Sequence, residues 1–385
     1  MTDVPGATIG VVGGGQLGRM LAEAASPLGV EVVVLDPTPD CPAAPPASAQ
    51  VAGEFDDHDA IRALADRADV LTYEIELADP DVLAAVEEAT GVPVHPSPGT
   101  LKTIQDKLVQ NIAFEDEDVP VPAFRAVDDE ADLDRAFDEL GSPLMLKRRR
   151  GGYDGRGNAP VESVEDAIAE FGDVSDMVAE ALVDFDRELS VIAVQGDGAQ
   201  RAYPAGENVH RDEILRETVV PARTSDDVLA QAHDVAGDVL DALDGRGVFG
   251  IELFEVDGTI LVNEVAPRPH NSGHYTIEGC HVSQFENFAR AILGRPLGDV
   301  SLRTPTVMAN VLGDVDDPRQ ADLHGVDDVL AMDRVALHWY GKREVRPLRK
   351  MGHVTVSGAG DDADVDDLLT TARTARDTLS FRTDD

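Results

Sequence analysis

The sequence predicts a three-part protein of α/β and α+β class: an N-terminal parallel α/β unit, a central unit whose sheet is built from hairpins, and a small β-rich C-terminal unit. Three observations predict it. Strands alternate with helices up to about residue 95, paired strands around short turns take over beyond Pro96 and Pro98, and 385 residues exceed one ordinary core.

In the first unit, Ala7 to Gly13 reads as an apolar strand running into GGGQLGRM. Gly13, Gly15 and Gly18 have the GxGxxG spacing, a helix follows from about Gln16 to Ser26, and the strand Glu31 to Leu35 ends in Asp36. Strand, glycine turn, helix, strand and acid form a dinucleotide-binding arrangement, although every βαβ unit needs a tight turn at this point. Further strands fit Val51-Ala52, Val70 to Tyr73 and Val92 to Val94, with helices from Asp57 to Ala65 and Pro80 to Ala89. Glu74 and Glu76 fall at the C-terminal end of the Val70 strand, where open α/β sheets place ligands.

The central unit opens with a helix expected from about Thr100 to Phe114, carrying Lys102 and Lys107, and an acidic amphipathic helix from Glu130 to Leu140. The apolar run Pro143 to Leu146 reads as a short buried strand. Lys147 emerges at its end and begins KRRRGGYDGRG, with glycines at 151, 152, 155 and 157, in a chain of 74 acidic and 32 basic residues. So local a concentration of scarce positive charge beside glycines reads as a cover for a triphosphate: lysine as a point charge, loop amides over the remaining oxygens. The alternative is a glycine-rich hairpin turn with a basic flank. A helix near Val164 to Phe171, a strand Asp176 to Ala181, a hairpin around Gly196-Asp197-Gly198, His210 and a long helix Asp226 to Leu243 follow.

GVFGIELFEVDGTILVNEVAPRPHNSGH, residues 247–274, holds two apolar strands with Glu252 in the first and Glu264 in the second. Carboxylates inside apolar strands call for a compensating charge, and Mg²⁺ takes one or two carboxylates plus substrate phosphates. Register decides whether the two cooperate. A two-residue Asp257-Gly258 loop would set Glu252 opposite Asn263 and turn Glu264 away. A three-residue loop Val256-Asp257-Gly258, with Gly258 left-handed, would put both on one face, so a shared metal predicts the odd-length loop. After Glu264, two prolines predict an irregular rigid loop carrying Arg268, His270, Asn271 and His274.

The last unit has strands at Val307 to Val311 and Val335 to Trp339, then HWYGKREVRPLRKMGH with Lys342, Arg343, Arg346, Arg349 and Lys350. Only five lysines exist, at 102, 107, 147, 342 and 350, and four lie in these expected anion sites. The net charge of −42 argues against nucleic acid and anionic membrane as partners. Acidity spread along the whole chain fits adaptation to concentrated salt, where screening shortens self-repulsion. Cys41 and Cys280 lack metal-ligand spacing and read as free thiols. With no basic leader and no apolar run approaching a membrane span, a soluble cytoplasmic protein is expected.

GGGQLGRM, KRRRGGYDGRG, VNEVAPRPHNSGH and YGKREVRPLRKMGH together resemble, in order and spacing, the N5-carboxyaminoimidazole ribonucleotide synthase family of ATP-grasp enzymes, over residues 8 to about 355. The resemblance implies a Rossmann-like domain (1–99), an ATP-grasp domain (100–296) and a C-terminal domain (297–385), as a homodimer. It implies carboxylation of 5-aminoimidazole ribonucleotide with bicarbonate at the cost of MgATP, in purine biosynthesis, and a glycine turn that binds no dinucleotide. Lys107, Lys147 and the loop Gly152, Tyr153, Asp154, Gly155, Arg156 and Gly157 would meet the ATP phosphates. Glu180, Ala181, Leu182 and Val183 would hold adenine, Glu188 the ribose, and His210 and Asn263 would adjoin. Glu252 and Glu264 would ligate Mg²⁺. Glu74, Tyr153, Asp154, Arg156, Lys342 and Arg349 would bind the aminoimidazole nucleotide, while Lys147, Arg268, Asn271 and His274 would serve catalysis. The chain departs from the family pattern at Lys107, often Arg, at Asn111, usually Lys, and at Leu348, usually Gly. Another ATP-grasp ligase, such as a formate-dependent ribonucleotide transformylase, and a nicotinamide-dependent oxidoreductase are the rival readings.

Overall fold

The structure, a computed structural model, describes residues 5–151, 157–360 and 363–382. The N-terminal unit comprises β1 (Thr8–Val12), α1 (Gln16–Ala25), β2 (Glu31–Leu35), β3 (Ala49–Val51), α2 (His58–Ala65), β4 (Val70–Tyr73) and α3 (Pro80–Thr90). Its strands are parallel in the order β3-β2-β1-β4. Both faces are covered, so β2 is apolar beyond its first residue: Val32 and Val34 pack toward α1, Val33 and Leu35 toward α2. The strand expected at Val92 to Val94 is only a parallel bridge between Leu71 and Val94.

Where one helix from Thr100 to Phe114 is expected, the chain forms two, α4 (Pro98–Gln105) and α5 (Lys107–Asp116). The break is Asp106, extended at φ −112° and ψ 104°, whose carboxylate accepts the Leu108 and Val109 N–H groups. A short acceptor in extended backbone caps a helix, and Asp106 does so in the middle of an apparently continuous apolar period.

A small antiparallel sheet follows, from β5 (Phe124–Val127), α6 (Glu130–Leu140), β6 (Leu144–Arg148), β7 (Asn158–Val161), α7 (Val164–Phe171) and β8 (Met177–Ala181), in the order β5-β8-β6-β7. Asp129 and Ser163 cap α6 and α7, whose Leu133, Ala136 and Ala167 bury one face of the sheet. Its other face holds Lys147.

The large sheet takes β9 (Arg187–Gln195), β10 (Gln200–Ala202), β11 (Gly206–Arg211), β12 (Ile214–Val220), β13 (Gly247–Val256) and β14 (Thr259–Ala266), with α8 (Asp226–Ala242) between β12 and β13. A 3₁₀ turn Asn271–Tyr275, α9 (Thr276–Gly279) and α10 (Gln284–Ile292) lead on to the C-terminal elements. These are β15 (Thr306–Leu312), β16 (Arg319–Gln320), α11 (Val326–Leu330), β17 (Val335–Trp339), β18 (Glu344–Val345), β19 (Lys350–Ser357) and α12 (Val365–Thr378). β15, β19 and β17 extend the same sheet, in the order β14-β13-β9-β11-β12-β15-β19-β17, so its hydrogen bonding runs unbroken from the central to the C-terminal unit. The loop expected to be irregular from Ala266 to His274 is regular in part: β14 reaches Ala266, and the His270 side chain accepts the Ser272 N–H to start the 3₁₀ turn beyond both prolines.

The C-terminal helix is fastened by charge as well as by Leu368, Leu369, Ala372 and Ala375. Glu217 of β12 is fully buried and receives Arg373 at 3.3 Å and Arg376. Two guanidinium groups satisfy a carboxylate that would otherwise be costly to bury. Replacing Glu217 with Ala leaves both cations over an apolar face and is expected to lower stability by about 3 kcal/mol, read by urea unfolding, with α12 the first segment cut by protease.

Candidate active site between the two sheets

The glycine turn at the start of α1 is occupied by the chain itself. The Glu74 carboxylate accepts the Gly15 N–H and, at 2.7 Å, the Gly18 N–H, while Asp36 accepts the Gly14 and Thr38 N–H groups. A Cβ on Gly13, at φ +108°, would lie 2.5 Å from Glu74 Cγ. The helix N-terminus that would hold a pyrophosphate therefore holds a carboxylate, and Asp36 is not open to a ribose. This removes the physical basis of the oxidoreductase reading, and it engages both oxygens of Glu74, which was expected to face substrate.

The cleft lies between the small sheet and one face of the large one. Cross-strand pairs put Glu264 opposite Glu252, Glu252 opposite Ser190, and Glu188 opposite Asn208, so these polar groups share a face. The opposite face carries Leu189, Val191, Ile251, Leu253, Val262 and Val265 against α8.

The register behind this face differs from the expected one. Val256 pairs with Thr259, so the loop is the two-residue Asp257-Gly258 with φ 48° and 77°, both left-handed as a type I′ turn requires. Glu264 nevertheless faces Glu252, because a bulge at Asn263 shifts the ladder between the Leu253–Val262 and Glu252–Glu264 pairs. The sequence carried a signal for it: Ile260 and Val262 keep period two, and the next core residue is Val265 rather than residue 264. A second bulge, between Val209 and His210, accompanies the His210 Nδ1 contact to Glu188 at 2.6 Å.

Two lysines bridge the cleft. Lys107, at the first position of α5, reaches Glu264 at 3.2 Å. Lys147, on β6 and nearly buried, binds Glu180 of β8 at 2.7 Å and donates to Asn263 on the facing sheet at 3.3 Å. Asn111 donates to the same Glu180 at 2.9 Å, so this carboxylate is held by two partners in the interior. Ala181 ends β8, and Leu182 and Val183 follow, with Leu182 exposed.

Burial raises the Glu252 carboxyl, and Glu264 opposite raises it further, to about 7. Burial acts on Glu264 in the same sense, but Lys107 and Lys147 outweigh it and hold that carboxyl below its ordinary value. One acid is thus poised to lose a proton to an arriving cation while its neighbour is already ionised. The His210 imidazole, despite burial, is raised by Glu188.

Among the expected catalytic residues, Arg268 donates to Glu76 at 2.7 Å, and its buried Nε has no hydrogen-bond partner among the described residues. Asn271 and His274 turn inward. Asn271 exchanges side-chain hydrogen bonds with Asn310 at 3.0 and 2.7 Å, and His274 is fully buried between Phe285 and His353. His270 instead comes within 3.5 Å of Glu252, and burial holds its imidazole well below its usual pKa. Lys350 is close enough to lower the pKa of Glu252, His210 and His270. The sequence placed His270 on the proline loop and Lys350 in the basic block, and gave neither a role of its own. Lys342 donates to the Lys350 carbonyl at 2.6 Å, and Arg349 donates to the Glu344 carbonyl at 2.7 Å. Gly157 ends the expected phosphate cover as acceptor for Arg148 N–H, whereas Gly152, Tyr153, Asp154, Gly155 and Arg156 lie outside the described residues.

Leu348 stands left-handed at φ +60°, closing the turn by donating its N–H to Gly313. A leucine there is strained where glycine is not.

Three family models cover the chain: a ribonucleotide synthetase preATP-grasp domain over residues 6–105, an ATP-grasp domain over 112–285 and a phosphoribosylaminoimidazole carboxylase C-terminal domain over 306–366. The chain is 42% identical to the N5-carboxyaminoimidazole ribonucleotide synthase of Brucella melitensis across 91% of its own length and 96% of that protein. The Thermotoga maritima N5-carboxyaminoimidazole ribonucleotide synthetase structure superposes with TM-score 0.86 and 40% identity, covering 97% of this chain and 99% of that one. The Aspergillus clavatus enzyme, solved with ADP and 5-aminoimidazole ribonucleotide, gives TM-score 0.88 at 35% identity, over 97% and 99% of the two chains.

Two outcomes follow from this geometry. A Glu raised to about 7 makes the metal-free fold lose stability between about pH 4.5 and 7, because the native state there holds a proton the unfolded chain has released. Unfolding of wild type against Glu252→Gln should show a difference of roughly 2–3 kcal/mol accumulating across that window and flat above it. Leu348→Gly should raise stability by roughly 0.5–1 kcal/mol, seen as a higher urea midpoint at unchanged slope.

Proposed function

The chain belongs to the N5-carboxyaminoimidazole ribonucleotide synthase family, an ATP-grasp ligase that carboxylates 5-aminoimidazole ribonucleotide, and from that premise we propose how its own residues divide the work. The observation that carries the proposal is the convergence of Lys107 and Lys147 from one side of the cleft on Glu264 and Asn263 of the other. ATP lies between the sheets, its base against the backbone of Glu180 to Val183, its ribose at Glu188 and its phosphates at the two ammonium groups. The domains divide at residues 1–99, 100–296 and 297–385.

The paired oxygens of Glu252 and Glu264 fit Mg²⁺: hard ligands on one face, one ionised and one ready to ionise, with room left for phosphate oxygens. Bound there, Mg²⁺ would supply charge neutralisation at the transferring phosphoryl group. Lys107 and Lys147 exchange their carboxylate partners for phosphate oxygens and stabilise the charge that grows as bicarbonate oxygen attacks the γ-phosphorus and ADP departs. Arg268, held by Glu76, is the cation offered to the bicarbonate, with His270 beside it. The resulting carboxyphosphate breaks to CO₂ and phosphate, and the exocyclic amine of the nucleotide takes up the CO₂ and loses a proton. Tyr153, Asp154, Arg156, Lys342 and Arg349 hold that nucleotide, the last two at its phosphate. Asn271 and His274, being buried, support the loop carrying Arg268 rather than touch substrate.

The charge of −42 and only five lysines support a protein working in concentrated salt. Among the described residues no helix is long and apolar enough to cross a membrane.

The test is ADP release at high KCl from MgATP and bicarbonate, with and without 5-aminoimidazole ribonucleotide. Wild type should release ADP in step with the nucleotide, and Glu264→Ala should lose at least a hundredfold in kcat. ADP release that ignores the nucleotide but answers to formate or another amine would overturn the substrate assignment.

A further inference from the structure

One carboxylate ties together the two elements that carry the phosphate-directed lysines. Asp106 is almost fully buried and immediately precedes Lys107. Its Oδ1 accepts Arg149 Nε at 2.9 Å and its Oδ2 accepts Arg149 Nη2 at 2.7 Å, a two-pronged pair, and Arg150 Nη2 approaches Oδ2 at 3.2 Å. The same Oδ1 caps α5 through the Leu108 and Val109 N–H groups at 3.2 and 3.4 Å. The backbone closes the knot, since the Lys107 N–H donates to the Arg149 carbonyl at 2.9 Å. Arg149 lies two residues beyond Lys147 on the continuation of β6.

The start of α5 and the end of β6 belong to different layers, and besides the Lys107–Arg149 backbone bond and the Asn111–Glu180–Lys147 contacts it is the Asp106–Arg149 pair that holds them at one spacing. Lysine reaches its target as a point charge on a flexible stem, so where its Cα stands decides where the ammonium can go. A bidentate carboxylate–guanidinium pair fixes geometry better than a single contact. We propose that Asp106 is a positioning residue for phosphoryl transfer, one that through Arg149 sets Lys107 and Lys147 at the separation the phosphates require. It touches no substrate. Loosening it should slow a reaction whose groups must be placed to within about an ångström, in a chain that stays folded. This rests on the reading that Lys107 and Lys147 meet ATP phosphates.

Two variants separate positioning from capping. Asp106→Asn keeps an oxygen that caps α5 but loses the charge and the second prong to Arg149. Arg149→Lys keeps the charge and cannot span both oxygens. Each should raise the KM for MgATP about tenfold and lower kcat about tenfold, with the KM for 5-aminoimidazole ribonucleotide within twofold of wild type; the thermal midpoint falls, as breaking a buried ion pair requires, but both variants stay folded at the assay temperature. Asp106→Glu, longer by one methylene, should not restore the wild-type rate. Lys107→Ala is measured alongside. If Lys107→Ala impairs MgATP kinetics while the folded Asp106→Asn and Arg149→Lys variants match wild type, the positioning role is wrong. The role is equally wrong if all kinetic constants of both variants are impaired together, the KM for 5-aminoimidazole ribonucleotide included. If Lys107→Ala itself leaves MgATP kinetics unchanged, the phosphate reading fails first.

Discussion

The structure depends on a balance of charge across one cleft. Lys107 of α5 stands against Glu264 of the large sheet, while Lys147 pairs with Glu180 inside the small sheet and donates to Asn263 across the cleft. Charges held this close to a protein interior are tolerable only when paired, and one pair here ties α5 to the large sheet while the other lies inside the small sheet. An arriving polyphosphate and its cation would take over both halves of the balance, with the phosphates on the ammonium groups and the cation on the carboxylates. The site is therefore held together in the absence of ligand by the same groups that would bind it.

Backbone irregularity supplies the geometry. Regular pairing from the Asp257-Gly258 turn would place Glu264 in the apolar core beneath α8, and the single extra residue at Asn263 turns it into the cleft instead. Asp106 does the corresponding service for the helices, stopping α4 and starting α5 so that Lys107 sits at a helix beginning beside β6. In both places a local break is fixed by a specific hydrogen-bonding pattern, which is how such sites resist relaxing into the regular form.

In so acidic a chain, carboxylates also replace ligands. Glu74 fills the glycine turn of α1, converting a nucleotide-binding shape into a structural joint near Arg268 and its partner Glu76. Glu217 does likewise for α12, drawing two arginines into a sheet that continues from the central unit to the C-terminal one.

By itself the sequence determined the fold class, the alternation of the N-terminal unit and most helix limits, because these rest on local periodicity, capping residues and glycine. It also marked Lys147, Glu252 and Glu264, since a charge in or at the end of an apolar run is visible in one dimension, and Lys107 as one of only five lysines. Tertiary structure decided what those charges meet. Register across the β13–β14 hairpin depends on a bulge that no loop length announces, and the break at Asp106 depends on Arg149, 43 positions away. Asn271 and His274 look as exposed in the sequence as Arg268 and His270, and only packing against Asn310, Phe285 and His353 turns them inward. Side-chain direction within an irregular loop is set by what lies on either side of it, and those neighbours come from distant parts of the chain.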